Sequence, residues 1–130
     1  MLAAAFAVSR EARQAIASIE PAIDLVHLAR QTDGDAALEA ELVNLFDRQC
    51  ADHSARLARA DLPPLARAEI AHRLKGSALA IGAARVAAAA AALEAAFEAG
   101  GLGDHEPTRA IHELVDAVDE ARAAIASLRG

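Results

Sequence analysis

The sequence predicts an all-α protein, an antiparallel up-and-down four-helix bundle with one or two short additional helices at its N-terminus. Alanine, the strongest helix former, supplies 38 of the 130 residues. The residues that strands favour are scarce, with 13 valines and isoleucines, 2 threonines and 3 aromatic residues in total. The 7 glycines and 4 prolines are few for this length, so long uninterrupted helices are expected. We expect residues 1–130 to form a single domain.

Capping and turn residues delimit two short helices at the N-terminus. Ser9 can cap a helix that extends to about Glu20, and Pro21 ends it. A second short helix fits residues 22–32. The turn Thr32-Asp33-Gly34-Asp35 follows, and its last residue can cap the next helix.

Two long helices come next. The first extends to about Ala60 and carries apolar residues at helical spacing, namely Leu38, Leu42, Leu45, Phe46 and Leu57. The segment Asp61-Leu62-Pro63-Pro64 ends this helix and begins another, because proline is tolerated in a first helical turn but not in a helix interior. The second long helix covers roughly 64–80, and Gly82 marks the turn after it.

Two further helices complete the predicted bundle. An alanine-rich helix spans 83–99 and ends at a glycine-rich turn that includes Gly100, Gly101 and Gly103. Asp104 can cap the last helix, which has Pro107 in its first turn and an apolar stripe of Ile111, Leu114, Val115, Val118 and Ile125. Four long helices joined by short turns are typical of an antiparallel up-and-down bundle.

Charge and cysteine content narrow the functional classes. The net charge is −6, from 13 basic and 19 acidic residues, which disfavours nucleic-acid binding. The single cysteine, Cys50, cannot form an intramolecular disulfide, which fits a reducing compartment. No positive residue precedes the apolar N-terminal stretch, and no run of 18 apolar residues occurs. We therefore expect a cytoplasmic protein that binds neither nucleic acid nor membranes.

The segment Ala71-His72-Arg73-Leu74-Lys75-Gly76-Ser77-Ala78 carries the residues best suited to chemistry. On a helix, Ile70 and Leu74 lie about 160° from His72, and Ile81 continues their apolar stripe. That stripe must be the buried side. We therefore expect the imidazole of His72 to point to solvent.

The neighbours of His72 on the helical wheel are suited to a docking site for a phosphorylated partner. An imidazole is a nucleophile at neutral pH, and Lys75, one turn away, can neutralise incoming phosphoryl oxygens. Gly76 leaves a gap that allows another protein to come close, and Leu79 adds an apolar contact.

These residues resemble the core pattern of the histidine-containing phosphotransfer (HPt) domains of multistep two-component signalling. The pattern is AHxLKGSA, then IGA, then a spaced leucine, alanine and LE, and the matching residues are Ala71-His72, Leu74 to Ala78, Ile81-Gly82-Ala83, Val86, Ala90 and Leu93-Glu94. Upstream, residues 32–35 stand where the family often has GGD, and residues 41–46 stand where it has ELLxxF. The resemblance covers roughly 22–98. Three positions depart from the pattern: Arg73 replaces a common threonine or serine, Ala80 a common asparagine, and Val86 a leucine.

The resemblance implies that His72 accepts a phosphoryl group from a receiver-domain aspartate, or from a hybrid or other sensor histidine kinase, and passes it to another receiver. It also implies that Glu94 hydrogen-bonds Nδ1 of His72, that Lys75 lies near the phosphoryl group, and that Gly76 admits the partner. Magnesium is expected on the receiver, and no cofactor or metal is expected in this chain. The sequence contains neither a GxxxxGK[ST] loop nor a GxGxxG motif after a strand, so we expect no ATP site and no independent kinase activity.

Four residues are predicted to bind the partner: Arg73, Gly76, Leu79 and Arg85. The two arginines can complement an acidic receiver face, although ordinary solvated charge explains each of them equally well. Leu65 lies on the same side as His72, where a contact at the helix end explains it just as well as docking. The remaining histidines lack the lysine and glycine companions, and they are His27, His53, His105 and His112.

Two other functions compete with phosphotransfer. One is a catalytically silent helical module that binds or sequesters a receiver domain, and the presence of His72, Lys75 and Gly76 together argues against it. The other is the dimerising histidine domain of a sensor kinase. There the histidine usually precedes a Glu-Leu-Arg type of continuation and a proline, whereas this chain has Arg-Leu-Lys-Gly and no following proline.

Overall fold

The computed structural model of the protein describes residues 21–98 and 107–128, and this part of the chain contains five helices and no strand. The helices are Leu25–Gln31 (α1), Ala36–Leu57 (α2), Pro64–Ile81 (α3), Ala84–Glu98 (α4) and Pro107–Leu128 (α5). The all-α prediction is thus confirmed for these residues. The helix predicted from Ser9 to Glu20 and the glycine-rich turn with Asp104 lie outside them.

The short helix α1 begins at Leu25, three residues later than the sequence predicts, because Asp24 caps it. The Asp24 carboxylate accepts hydrogen bonds from the backbone N–H groups of Val26 and His27 at 3.0 and 3.1 Å. The backbone N–H of Asp24 donates a hydrogen bond to the Gly82 carbonyl at 2.9 Å. The start of α1 is therefore tied to the end of α3.

The turn between α1 and α2 follows the prediction. Asp33 and Gly34 have positive φ angles of 54° and 78°, and the Asp35 side chain accepts from the N–H of Leu38 at 3.0 Å. Thr32 is buried, and its hydroxyl lies 3.0 Å from the Leu28 carbonyl and 3.1 Å from a Glu39 carboxylate oxygen. These bonds connect the two helices across the turn.

Helix α2 ends at Leu57, earlier than the predicted Ala60. The segment after α2 forms a local turn. In this turn Arg59 pairs with Asp61 at 2.9 Å, and the Leu62 N–H donates a hydrogen bond to the Arg59 carbonyl at 3.3 Å. Pro64 then opens α3, as predicted for a proline in a first turn.

Helix α3 packs against α2 and α4, and α5 packs against α4 and α2 on the other side, while α1 contacts α3. Their shared core contains no tryptophan or tyrosine, and its largest fully buried side chains are Phe46, Ile70, Leu74, Leu93, Leu114 and Ile125. Ion pairs join the helices at the surface of this core: Asp47 with Arg122 at 2.9 Å, and Arg85 with Glu120. None of the described helices has the length and apolar character that a membrane crossing needs.

Only some of the apolar residues that occur at helical spacing in α2 are buried in the core. Phe46 and Leu57 are buried, but Leu38 and Leu45 are exposed and Leu42 is half-buried. Cys50 lies in the core, where burial raises the pKa of its thiol to about 12. The thiol is therefore a small apolar side chain rather than a nucleophile at neutral pH.

Candidate functional site

His72 lies on the exposed face of α3, where the helical wheel places it. Its neighbours Ala71 and Leu74 are fully buried, and Ile70 is buried with them. The imidazole itself is 72 % exposed. The local fold therefore presents the ring to solvent on a rigid helix whose other side is fixed in the core.

Helix α4 brings Glu94 against this imidazole. Nδ1 of His72 and Oε2 of Glu94 are 2.9 Å apart, a hydrogen-bond distance. The other carboxylate oxygen, Oε1, lies 2.6 Å from Nζ of Lys75, one turn further along α3. Leu93 and Ala90 of α4 are fully buried, so the backbone that carries Glu94 is held in the core.

The carboxylate between the two α3 side chains is ionised at neutral pH. The hydrogen bond from Lys75, and then the one from His72, hold the pKa of the Glu94 carboxyl below its usual value. An ionised carboxylate only accepts hydrogen bonds, so the neutral imidazole must carry its proton on Nδ1. Nε2 then keeps its lone pair, on a ring that is largely exposed to solvent.

The surface beside the ring is open. Gly76 is exposed, and a Cβ atom added there would meet no atom within 4 Å. Leu79 is 59 % exposed on the same side of α3, and Leu65 is also exposed. A large partner can therefore reach Nε2 along this face without displacing a side chain of α3.

The two arginines of the predicted partner-binding set are placed differently. Arg73 is exposed next to His72, and its charge also acts on His53 of α2. Arg85 pairs with Glu120 of α5 and stands nine residues before Glu94, about 13 Å along the helix axis. The structure thus brings His72, Lys75 and Glu94 together and leaves Arg85 outside this cluster.

Two features of the site were not foreseen in the sequence. One is the ion pair between Lys75 and Glu94, and the other is an apolar groove between α2 and α3 in which the exposed Leu45 takes part. Both depend on how neighbouring helices are positioned along one another. That relative position cannot be predicted from a single sequence. In the described ranges, no group of three or more histidine, cysteine, aspartate or glutamate side chains is arranged to hold a metal ion.

Comparison with known proteins identifies the family. The family model described as Hpt domain matches residues 8–124, which is most of the chain. No curated protein and no solved structure matches this chain significantly. The exposed imidazole, held at Nδ1 by a carboxylate on a facing helix, agrees with that match, and the chain belongs to the Hpt domain family.

Proposed function

We propose that this protein is a phosphohistidine carrier in a multistep phosphorelay, in which His72 takes a phosphoryl group from one receiver aspartate and delivers it to another. Membership of the Hpt family already gives the chain a phosphotransfer role in two-component signalling. The observation that carries the finer proposal is the exposed His72 ring with Nδ1 on the ionised Glu94. This arrangement supplies a nucleophile without requiring a nucleotide.

The proposed reaction is a direct transfer between two side chains. The Nε2 lone pair attacks the phosphorus of the aspartyl phosphate, and the bond between phosphorus and the carboxylate oxygen breaks, with the electron pair leaving on the aspartate. Positive charge develops on the imidazole as the bond between nitrogen and phosphorus forms, and the Glu94 carboxylate at Nδ1 stabilises it. Transfer to the next receiver is the reverse of this step.

Lys75 contributes to the proposed reaction because its positive charge lies one helical turn from His72. Its ammonium is held by Glu94 at 2.6 Å, and its side chain is 34 % exposed, so it borders the surface where phosphoryl oxygens arrive. A positive charge there lowers the cost of bringing an anionic group against an acidic protein.

The rest of the proposal concerns partners and setting. Receiver domains, and a hybrid or other sensor kinase, dock on the face that carries Arg73, Gly76 and Leu79, while Arg85 would contact only a partner that extends past the reactive cluster. Magnesium comes with the receiver and the chain needs no cofactor. The four longer helices form an antiparallel up-and-down bundle, and the protein works in the cytoplasm.

The test is phosphoryl transfer from a panel of phosphorylated receiver domains of the same cell. Wild type should become labelled by at least one receiver, and the label should be lost in mild acid and survive base, as expected of phosphohistidine. The variant His72→Gln should acquire none. Label that remains on His72→Gln, or that survives acid, contradicts the assignment of His72. Tight receiver binding without any transfer would instead support the silent, sequestering module.

A further inference from the structure

A separate apolar cleft lies between α1, α2 and α5, and none of its described lining residues belongs to α3. It encloses about 420 Å³, and seven of its nine lining residues are apolar. A cavity of about 150 Å³ holds a benzene-sized group, so this cleft has room for more than one large apolar side chain. The apolar lining comes from all three helices and includes Leu25, Leu28, Ala40, Val43, Ile125 and Leu128.

The rim of this cleft carries apolar side chains that the described helices leave exposed. Leu25 is 51 % exposed and Leu128 is 52 % exposed. The only charged residue that lines the cleft is Glu39, and one of its carboxylate oxygens already accepts a hydrogen bond from the Thr32 hydroxyl at 3.1 Å. A contiguous apolar surface of this kind marks a contact with another polypeptide segment. The cleft therefore suits an apolar occupant.

The sequence that precedes the described residues contains an apolar face of matching length. In residues 8–19, apolar residues recur at the spacing of one side of a helix, and polar residues fall on the opposite side. This stretch would span about 16 Å as a helix, and the part of α2 that lines the cleft, residues 36–44, spans about 12 Å. The apolar face consists of Val8, Ala12, Ala15, Ile16 and Ile19.

The point at which this stretch joins the described chain lies next to the cleft. Ile23 is buried in the core, and the Asp24 N–H is bonded to the Gly82 carbonyl, so the backbone there is fixed. Leu25, which lines the cleft, follows directly. A segment tethered by a few residues has an effective concentration of about a millimolar at a neighbouring site. A second copy of the chain at micromolar concentration is therefore a weaker competitor for the cleft.

We propose that residues 8–19 of this chain dock in the cleft through this apolar face and cover the exposed side chains of Leu25 and Leu128. The polar side of the segment, which includes Arg13 and Gln14, then stays in water. The N-terminal segment is thus a part of the folded domain rather than a free tail. The inference concerns a contact within the chain and does not rest on the proposed function at His72.

The test measures how fast a thiol introduced into the cleft reacts with a maleimide in the complete 130-residue chain. Ala40 is an exposed alanine of α2 that lines the cleft, so the thiol of Ala40→Cys reports whether the cleft is covered. Ala55→Cys is the matched control, because Ala55 is exposed on the same helix about 22 Å away. Cys50 is buried and its thiol has a pKa of about 12, so it adds little background.

Two substitutions in the segment separate an apolar contact from a general effect of charge. Ile16→Asp places a carboxylate on the apolar face and should raise the reaction rate of the Ala40→Cys thiol at least tenfold. Gln14→Asp adds the same charge about 160° away on the helical wheel, and it should change that rate less than twofold. Neither substitution should change the rate of the Ala55→Cys thiol more than twofold.

The outcomes that overturn the proposal are distinct. If the Ala40→Cys thiol reacts equally fast with and without Ile16→Asp, the segment does not cover the cleft. Equal acceleration by Gln14→Asp also contradicts the proposal, because the apolar face would then be irrelevant. Protection that increases with protein concentration would assign the cover to a second copy instead. Far-UV circular dichroism checks the folding of each variant, and the milder Ile16→Ala, which should raise the rate at least threefold, replaces Ile16→Asp if that variant is unfolded.

Discussion

At the scale of single residues, the Glu94 carboxylate connects the imidazole of His72 to the ammonium of Lys75. One oxygen lies against Nδ1 of His72 and the other against Nζ of Lys75. In the proposed reaction, Lys75 pairs with the Glu94 carboxylate and also borders the surface that the phosphoryl oxygens reach. Lys75 should therefore serve the reaction twice, by neutralising Glu94 and by attracting the phosphoryl group.

This double role predicts that the effects of Lys75 and Glu94 substitutions are not additive. Lys75→Ala should slow transfer at least tenfold, about 1.4 kcal/mol in the barrier, because it leaves the carboxylate uncompensated beside the incoming phosphoryl group. Glu94→Gln removes that negative charge but keeps an oxygen that can accept from Nδ1. Glu94→Gln should itself slow transfer, because it weakens the stabilisation of the positive imidazole, but the double variant should lose less rate than the product of the two single losses, as measured by single-turnover rates in a double-mutant cycle.

A matched control separates charge near the site from charge anywhere on the surface. Arg109 of α5 forms an exposed ion pair with Glu113 at 3.6 Å, so Arg109→Ala removes a cation from an ion pair that does not include His72, Lys75 or Glu94. It should leave the transfer rate unchanged and change stability by no more than about 0.5 kcal/mol. Strictly additive effects of Lys75→Ala and Glu94→Gln would show that the two side chains act independently.

At the scale of elements, helix α3 carries a glycine in its interior where alanine would be more stable. Glycine costs roughly 0.5–1 kcal/mol relative to alanine in a helix interior. The position is exposed and has space around it, so nothing in the fold requires a missing side chain at Gly76. Access to His72 is the explanation that remains.

We predict that Gly76→Gln stabilises the protein by about 0.5–1 kcal/mol and abolishes transfer. The long side chain fills the space one turn from Nε2 that the receiver must enter. Thermal unfolding and transfer rate should be measured on the same sample, with Ala123→Gln on α5 as the control for an added glutamine. A Gly76→Gln protein that is more stable and transfers as fast as wild type would mean that no partner approaches this face closely.

The junction of α3 and α1 gives a prediction about stability. Gly82 has a φ angle of 85°, and a Cβ atom there would lie 3.0 Å from the Asp24 carbonyl oxygen. Gly34 has a similar φ angle of 78°, but a Cβ atom at that position would meet nothing within 4 Å. Alanine at either position pays about 1–2 kcal/mol for the left-handed conformation, and only Gly82→Ala adds a clash with backbone.

Gly82→Ala should therefore lower the free energy of unfolding by at least about 1 kcal/mol more than Gly34→Ala does. Urea unfolding of both variants and of wild type measures the difference. Equal losses would show that α1 can shift away from α3 at no cost, so that the hydrogen bond from the Asp24 N–H to the Gly82 carbonyl does not hold the junction.

The sequence predicted the positions of the helices along the chain better than it predicted how the helices pack against one another. Proline and glycine punctuation, which acts through local backbone geometry, placed α3 within about one residue and the turn before α2 correctly. The start of α1 was wrong although the Asp24 cap is a local signal in the sequence, whereas the hydrogen bond from Asp24 to Gly82 joins residues 58 positions apart, which local patterns do not show. The same limit applies to Leu38 and Leu45, whose spacing fits a buried stripe although the structure leaves them exposed.

For the candidate site, the exposure of His72 could be predicted because it depends on one helix alone. The approach of Glu94 could be expected only from the family resemblance, since nothing in the sequence alone fixes how α4 is shifted along α3. The Lys75 and Glu94 ion pair and the groove beside Ala80 follow from that same shift and from the packing of α2. Such features need the folded molecule.

At the scale of the whole molecule, the cluster of His72, Lys75 and Glu94 and the adjacent groove are formed by α2, α3 and α4, and α5 packs against α2 and α4. His53 of α2 is half-buried, and its Nδ1 is shielded from solvent without a hydrogen-bond partner among the described residues. Burial lowers its pKa below the usual value, with Asp52 opposing this shift and Arg56 and Arg73 adding to it. The fold therefore favours the neutral ring.

This packing predicts how stability depends on pH. Because the folded-state pKa of His53 is below the unfolded value of about 6.5, the unfolded chain binds the proton more readily. The stability linked to His53 is complete above pH 6.5 and is lost as pH falls through the folded-state pKa. Glu94, whose pKa is also lowered, contributes stability that is lost only at more acidic pH, below about 4.5. The loss linked to His53 therefore begins in a pH window above the one in which the loss linked to Glu94 begins.

The prediction is tested by urea unfolding at closely spaced pH values between 7.5 and 3 for wild type, His53→Gln and Glu94→Gln. Wild type should lose stability in both windows. His53→Gln cannot take up the proton, so its free energy of unfolding should change less between pH 7 and pH 5 while the acidic loss remains. Glu94→Gln should show the opposite pattern, because its amide does not titrate. If His53→Gln lost stability between pH 7 and pH 5 as steeply as wild type, another group would be responsible, and the burial of His53 would not control the pH response of the fold.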